Sequence, residues 1–216
     1  MVKILVVDDL DMVRMGLVRM LADVEGFEVV GEAKSGEEAL SMARTMRPDV
    51  ILMDIKMPGI GGLEATRRIV AANSEIKVIA VTVISDDIYP ERFMGAGASG
   101  YVTKDAPFDE MVKAIQSVCA GRPFMSAGVA QQLALRTCNR SKTGSPFEEL
   151  SERELQTAIM VANGGKVQAI ADALSISTKT VNSYRYRIFE KLGVDSDVGL
   201  TILALKHKVL DIDDMK

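Results

Sequence analysis

Short runs rich in Val and Ile, at Lys3–Val7, Glu28–Ala33, Val50–Met53, Val78–Val83 and Gly100–Val102, recur through the first 120 residues, and an amphipathic stretch follows each. Brief apolar runs without polar alternation suit strands that are buried on both faces. The stretches between them, Val13–Val24, Ser35–Met46, Gly62–Ala72, Ile88–Met94 and Phe108–Ala120, space their apolar residues as helices do. Strand and helix in alternation predict an α/β doubly wound domain, a five-stranded parallel sheet with helices on both faces. Ser35 and Glu38 have the spacing of a capping box, and Arg47-Pro48 ends the second helix before the third strand.

After residue 120 the pattern changes. Gly121-Arg-Pro123 breaks the fifth helix, Ala127–Leu135 has room for one short helix, and Thr137–Phe147 is a polar stretch with Gly, Ser and Pro. Beyond it the strand-like runs stop. Glu152–Ala162, Val167–Leu174, Thr178–Leu192 and Asp197–Lys206 all read as helices, several with Ser, Thr or Asp in front as N-caps. The expected organisation is an α/β domain over 1–120, a linker with a short helix over 121–147, and a small all-α domain over 148–216.

Charge follows the same division. The chain carries a net −4, but residues 1–120 hold 13 Lys and Arg against 19 Asp and Glu, whereas 121–216 hold 13 against 11. Such asymmetry points to two domains with different partners. Cys119 and Cys138 have neither CxxC spacing nor a His nearby, so reduced thiols are expected rather than a metal cage or a disulfide framework. Met1–Val7 is too short for a secretory core, and no run reaches the roughly 20 residues of a membrane span. A cytoplasmic protein without membrane insertion is expected.

The chemistry gathers where the strands end. Asp8 and Asp9 follow the first run and Asp54 the third; in an open parallel sheet these strands are neighbours, and side chains past their carboxyl ends share one crevice. Three carboxylates there repel one another unless a cation intervenes, and the set asks for a hard divalent ion such as Mg²⁺. Thr82 at the end of the fourth run brings a hydroxyl, and Lys104 after the fifth brings a cation. This grouping suits phosphoryl transfer, with a carboxylate as nucleophile and an acyl phosphate as product.

Other chemistries lack their parts. No glycine-rich turn stands where Asp8-Asp9 does, which removes dinucleotide binding, and there is no GxxxxGK[ST] loop. His207 is the single histidine and lies in a tail helix, read as a surface residue, so a Ser or Cys nucleophile has no histidine beside it.

In the second domain, Val167–Leu174, the turn Ser175-Ile-Ser177 and Thr178–Leu192 have helix-turn-helix spacing. Val181, Tyr184, Ile188 and Leu192 share an inward face at 100° per residue. Lys179, Asn182, Ser183, Tyr186 and Glu190 share the opposite face, flanked by Arg187. Its polar side chains can read base edges of double-stranded DNA, while Lys179, Arg185 and Arg187 can reach phosphates. From Ser175 to Lys208 there are six Lys and Arg against three Asp and Glu, a modest excess that predicts weak binding by a monomer and a need for dimers.

Asp8-Asp9, Asp54 with Met57-Pro58 and Gly61, Thr82, Tyr101 and Lys104 resemble the receiver domain of two-component response regulators, a flavodoxin-like fold. That resemblance implies that Asp54 accepts phosphate from a sensor histidine kinase and that Asp9 ligates Mg²⁺ directly. It further implies a water-bridged Asp8, a ligand from the Lys56 carbonyl, a Thr82 hydrogen bond to the phosphoryl group, and pairing of Lys104 with it. Tyr101 would turn inward on activation. The sequence departs from receivers at Asp105, where Pro in a cis peptide often follows the lysine, so the isomer of that bond is left open.

Leu150-Ser-Glu-Arg-Glu154, Gly164, Ile170-Ala171, Leu174-Ser-Ile-Ser177, Thr180-Val181 and Lys191-Leu192-Gly-Val194 are similar to the LuxR/NarL helix-turn-helix domain. Gln168-Ala169 and Tyr184 depart from its usual residues. In that family the last helix makes the dimer contact, which here implies Val198, Ile202 and Leu205, with Leu203; the same stripe also suits the core of so small a domain. The combination resembles the NarL/FixJ response regulators, and within them the GacA/UvrY group. The resemblance implies a hybrid, membrane-bound kinase partner, a homodimer on DNA and promoters of small regulatory RNAs, in a non-enzymatic transcription regulator. An acyl-phosphate phosphatase or transferase, and a scaffold whose helical domain binds protein, stand as the other readings.

Overall fold

The computed structural model describes residues 1–83, 89–138, 145–207 and 209–210, with the backbone alone for 136–138, and these form two compact units that divide between residues 138 and 145. Among the described residues of the first unit the elements run β1 (Val2–Val7), α1 (Asp11–Ala22), β2 (Phe27–Ala33), α2 (Gly36–Met46), β3 (Val50–Asp54), α3 (Gly61–Ala72), β4 (Lys77–Thr82), α4 (Tyr89–Gly95), β5 (Gly100–Thr103), α5 (Phe108–Cys119), β6 (Phe124–Met125) and α6 (Ala127–Cys138). Ile88, expected to open the fourth helix, lies outside the described residues.

Every strand pairs in parallel, in the order β2-β1-β3-β4-β5-β6. The order reverses between β1 and β3, the place where an open α/β sheet forms its crevice. Register fixes the level of the site: Val7 pairs with Met53, Asp54 with Val81 and Thr82 with Thr103, so the residues after each strand emerge side by side. The core is aliphatic; Ile4, Val6, Leu52, Ile79, Val102 and Ile115 pack within the main cluster.

The sheet has six strands, not the expected five. Two residues, Phe124 and Met125, lie in parallel against Gly100 and Tyr101 after a helix-breaking Gly121-Arg-Pro123. A two-residue strand leaves no period to read. Residues 121–138, expected as linker, thus hold a sheet edge and a helix of the first unit. The polar residues 139–144 lie outside the described residues.

Helix ends follow local chemistry. The Ser35 hydroxyl accepts the Glu38 N–H at 3.2 Å, but the Glu38 carboxylate takes the Lys34 N–H at 2.8 Å, so half of the expected capping box is replaced. Arg47 ends α2 in the left-handed region at φ 47° before Pro48.

The second unit contains a 3₁₀ turn (Pro146–Glu149), α7 (Glu152–Ala162), α8 (Val167–Leu174), α9 (Thr178–Leu192) and α10 (Asp197–Lys206), the four helices matching their expected limits. Ser151, Ser177 and Ser196 cap α7, α9 and α10. Phe147, Leu155, Ile170, Val181, Ile188 and Leu200 form its buried centre. The Glu154 carboxylate is buried, caps α7 through the Ser151 N–H at 2.8 Å and meets the Lys191 ammonium near the end of α9 at 2.6 Å. Burial works against its charge, yet Lys191 and Ser151 hold its pKa below the usual glutamate value. His207, expected on the surface, is half-buried, because as the C-cap of α10 it stands beside Phe147, the ring centroids 6.2 Å apart.

Candidate functional site

Three strand ends bring the expected groups together. Carboxylate oxygens of Asp8, Asp9 and Asp54 all lie within 4.8 Å of one another. Asp8 is fully buried, Asp54 is 5% exposed, and Asp9 is half-buried. From the end of β5 the Lys104 ammonium reaches Asp8 Oδ2 at 2.7 Å and Asp54 Oδ2 at 3.0 Å. Backbone donors hold the carboxylates in place: Leu10 N–H gives to Asp8 Oδ1 at 2.9 Å and Ile55 N–H to Asp54 Oδ1 at 2.8 Å.

The electrostatics set Asp54 apart. Burial pushes its carboxyl up to about 7; Lys104 opposes the rise, while the negative charges of Asp8 and Asp9 add to it. Burial also disfavours the Lys104 ammonium, but the facing Asp54 and Asp8 hold its pKa above the usual lysine value. Three carboxylates this close, a donor set made only of oxygens, fit a hard divalent cation.

The other expected residues fall around this pocket. Thr82 is buried at the end of β4, its hydroxyl donating to the Val83 carbonyl at 3.2 Å. Lys56 stands two residues beyond Asp54 in the loop before α3, half-buried. Tyr101, expected to turn inward on activation, already lies inward at 3% exposure, with its ring edge-on to Phe93 at 6.4 Å. Among the described residues every peptide bond is trans, Lys104–Asp105 included.

Several contributors were not foreseen. Arg14, on the inner side of α1, donates to the Asp8 carbonyl at 2.8 Å and to Glu32 at 3.2 Å, and also pairs with Asp11. The Asp11 and Arg14 spacing on one helix face was the available signal. Glu37 accepts the Ile60 N–H at 3.0 Å and closes the loop after Asp54. Gly62 is a steric requirement: a Cβ there would stand 1.9 Å from the Asp54 carbonyl oxygen.

In the second unit α9 presents the expected face. Lys179, Asn182, Ser183, Tyr186, Arg187 and Glu190 are exposed, Tyr186 by 77%, and Val181, Ile188 and Leu192 are buried with Tyr184 half-buried. Arg185 departs from it. Its Nη2 bridges both Asp197 oxygens at 2.6 and 2.7 Å, so the guanidinium turns to α10 rather than to solvent. On α10, Leu200 and Ala204 take the core positions, leaving Val198 and Ile202 exposed by 69% and 62% and Leu203 and Leu205 half-buried.

Comparison with known proteins follows the same two-part division. Residues 4–116 match the family model of the response regulator receiver domain, and residues 148–204 that of the bacterial regulatory proteins of the luxR family. Response regulator GacA of Pseudomonas aeruginosa is 56% identical over 211 residues, covering 98% of this chain and 99% of that protein. Response regulator UvrY of Escherichia coli is 47% identical over 215 residues, covering 100% of this chain and 99% of that protein. Among solved structures, RcsB of Salmonella enterica serovar Typhimurium, bound to the promoter rprA with the phosphomimetic BeF3-, has a TM-score of 0.71 at 21% identity over 94% of this chain and 97% of that one, a likeness of fold alone. Among the described residues no helix is long and apolar enough to cross a membrane.

Proposed function

The chain belongs to the two-component response regulators that join a receiver domain to a LuxR-type DNA-binding domain, and from that premise we propose that Asp54 is the phosphoacceptor and α9 the helix that reads duplex DNA. The observation that carries the reading is the meeting of Asp8, Asp9, Asp54 and Lys104 at the carboxyl ends of β1, β3 and β5.

A sensor histidine kinase, hybrid and membrane-bound as the family resemblance implies, is the phosphoryl source. An Asp54 carboxylate oxygen attacks the phosphorus of the kinase's phosphohistidine, the P–N bond breaks, and its electron pair stays on the imidazole nitrogen, which takes up a proton. Asp8, Asp9, Asp54 and the Lys56 carbonyl are the residues that would hold Mg²⁺, whose chemistry is to neutralise the phosphoryl oxygens as charge spreads over them. Lys104 carries its ammonium from the Asp54 carboxylate to the new phosphoryl group, and the Thr82 hydroxyl leaves the Val83 carbonyl to donate to it. Tyr101, inward against Phe93, stabilises the switched surface. The protein is a stoichiometric acceptor, and its second domain is the output.

Lys179 and Arg187 meet phosphates, and Asn182, Ser183 and Tyr186 face base edges in the major groove. Val198 and Ile202, with Leu205 beside them, form the contact between two copies on DNA; their exposure on a helix whose core positions are filled by Leu200 and Ala204 supports that role. Such work belongs in the cytoplasm.

A shift assay with genomic fragments, with and without a small phosphodonor and Mg²⁺, tests the reading. Retarded fragments, with retardation strengthened by phosphodonor in wild type and unchanged by it in Asp54→Asn, are expected. Undiminished labelling of Asp54→Asn would move the acceptor elsewhere.

A further inference from the structure

The Arg185 guanidinium, read from the sequence as a phosphate contact, is engaged inside the domain. One nitrogen, Nη2, spans both carboxylate oxygens of Asp197 at 2.6 and 2.7 Å. The guanidinium carbon lies 5.8 Å from the ring centre of Phe189, one turn further along α9. Its Nε is enclosed and finds no acceptor among the described residues, so the tie to Asp197 carries the polar contacts of the group.

The position of Asp197 gives the tie its meaning. Asp197 is the first residue of α10, joined to α9 by a connection in which Gly193 takes a left-handed φ of 63°. The body of α10 rests on α7, where Leu200 and Ala204 are buried and the Thr201 hydroxyl donates to the Ala162 carbonyl at 3.1 Å. The Arg185–Asp197 pair adds a direct side-chain tie from α9 to the first turn of α10. Val198 follows Asp197, and Ile202 lies one turn on, so the first turn of α10 carries the exposed apolar pair with it.

We propose that Arg185 is a positioning residue: through Asp197 it sets the angle between the DNA-facing helix α9 and the apolar edge of α10, and so the spacing at which two copies present their α9 helices to DNA. The proposal rests on the reading of α9 as the DNA-facing helix and of Val198 and Ile202 as the contact between copies. Both partners are partly open to water, so the pair adds little to stability and its effect is geometric. Half-sites on DNA are read together only when two recognition helices stand one helical turn or a multiple apart, so a change of angle acts on the pair of sites and spares the single one.

The test uses the full chain with a fragment recovered in the shift assay and footprinted, beside the same duplex with half of the footprint scrambled. Arg185→Ala and Asp197→Asn are each expected to weaken binding to the intact fragment about tenfold, to leave the half-scrambled duplex within about twofold, and to do no more together than singly. Arg185→Lys, which keeps a cation facing Asp197, recovers most of the intact-fragment affinity. Hydrogen exchange at residues 198–200 rises in both single variants while the melting temperature holds.

A phosphate contact predicts the reverse: Arg185→Ala weakens both duplexes alike and flattens the salt slope by about one unit, and Asp197→Asn binds as well as wild type or better. Either of those results overturns the proposal. Wild-type protein that retards no fragment at all overturns the DNA reading itself, and the proposal with it.

Discussion

The Lys104 ammonium lies 3.0 Å from Asp54 Oδ2, yet Asp54 titrates near 7, because burial and two neighbouring acids outweigh one cation. The carboxylate is therefore held in a state of tension that bound positive charge relieves.

That tension has a pH signature. The folded pKa of Asp54 is raised from 3.8 to about 7, so in this range the folded state binds the proton more tightly than the unfolded chain does. Its contribution to stability is fully present below pH 4 and is lost as pH rises through 7. In chelator, wild type should lose stability relative to Asp54→Asn between pH 4 and 7, reaching a plateau of at most about 4 kcal/mol. Urea unfolding of the two proteins at a series of pH values measures it; Mg²⁺ at pH 7.5 should close much of the gap by stabilising wild type alone.

Gly62 makes the loop after β3 possible. Since a Cβ would meet the Asp54 carbonyl oxygen at 1.9 Å, Gly62→Ala must push α3 from β3. A loss of about 3 kcal/mol by thermal unfolding is expected, together with slower labelling of Asp54 by a small phosphodonor. Gly16→Ala, within α1 where the new atom meets nothing within 4 Å, serves as the control and should leave labelling unchanged and raise stability by up to about 1 kcal/mol.

Removing the Lys191 ammonium leaves the Glu154 carboxylate buried without its cation. Lys191→Met should cost about 2 kcal/mol, less than a fully enclosed pair because Lys191 is itself partly exposed. Adding Glu154→Gln should return part of that loss. The sum of the single effects in denaturant melts, if equal to the double, would rule out the coupling.

The exposed face of α9 contains two kinds of contact that salt can separate. Lys179→Ala should weaken binding to every fragment alike and flatten the salt dependence by about one unit. Asn182→Ala should leave that slope in place and reduce the preference for the footprinted fragment over scrambled duplex by about 1–3 kcal/mol. Affinities at several salt concentrations with both duplexes distinguish them.

Much of the site is legible in the sequence, and the reason is periodicity. Buried parallel strands announce themselves as apolar runs, and the sheet rule then places Asp8, Asp9 and Asp54 at one crevice with no knowledge of tertiary detail. The helices of the second unit were equally plain, since Ser151, Ser177 and Ser196 mark their starts. What escaped notice depends on contacts between residues far apart in sequence. Phe124-Met125 is too short to carry a period, and Glu37 reaches Ile60 across 23 positions. Arg185 stands one turn past Val181, on the inward side of α9 at 100° per residue, but its partner there, Asp197, comes from α10. Tyr101 lies inward because Phe93 of α4 offers it a ring edge, which no local pattern encodes.

The register that aligns Val7 with Met53 and Asp54 with Val81 has a further implication. Hydrogen-bonded ladders act as a ruler: the acids meet because each strand stops at the same rung, whatever the length of the loops at the opposite rim. Insertions at that rim should be tolerated, whereas a one-residue deletion within β3 would turn over the side chains that follow it, Asp54 among them, and silence the chemistry while leaving the fold recognisable. Loops remote from the pocket are thus free to diversify without touching the reaction.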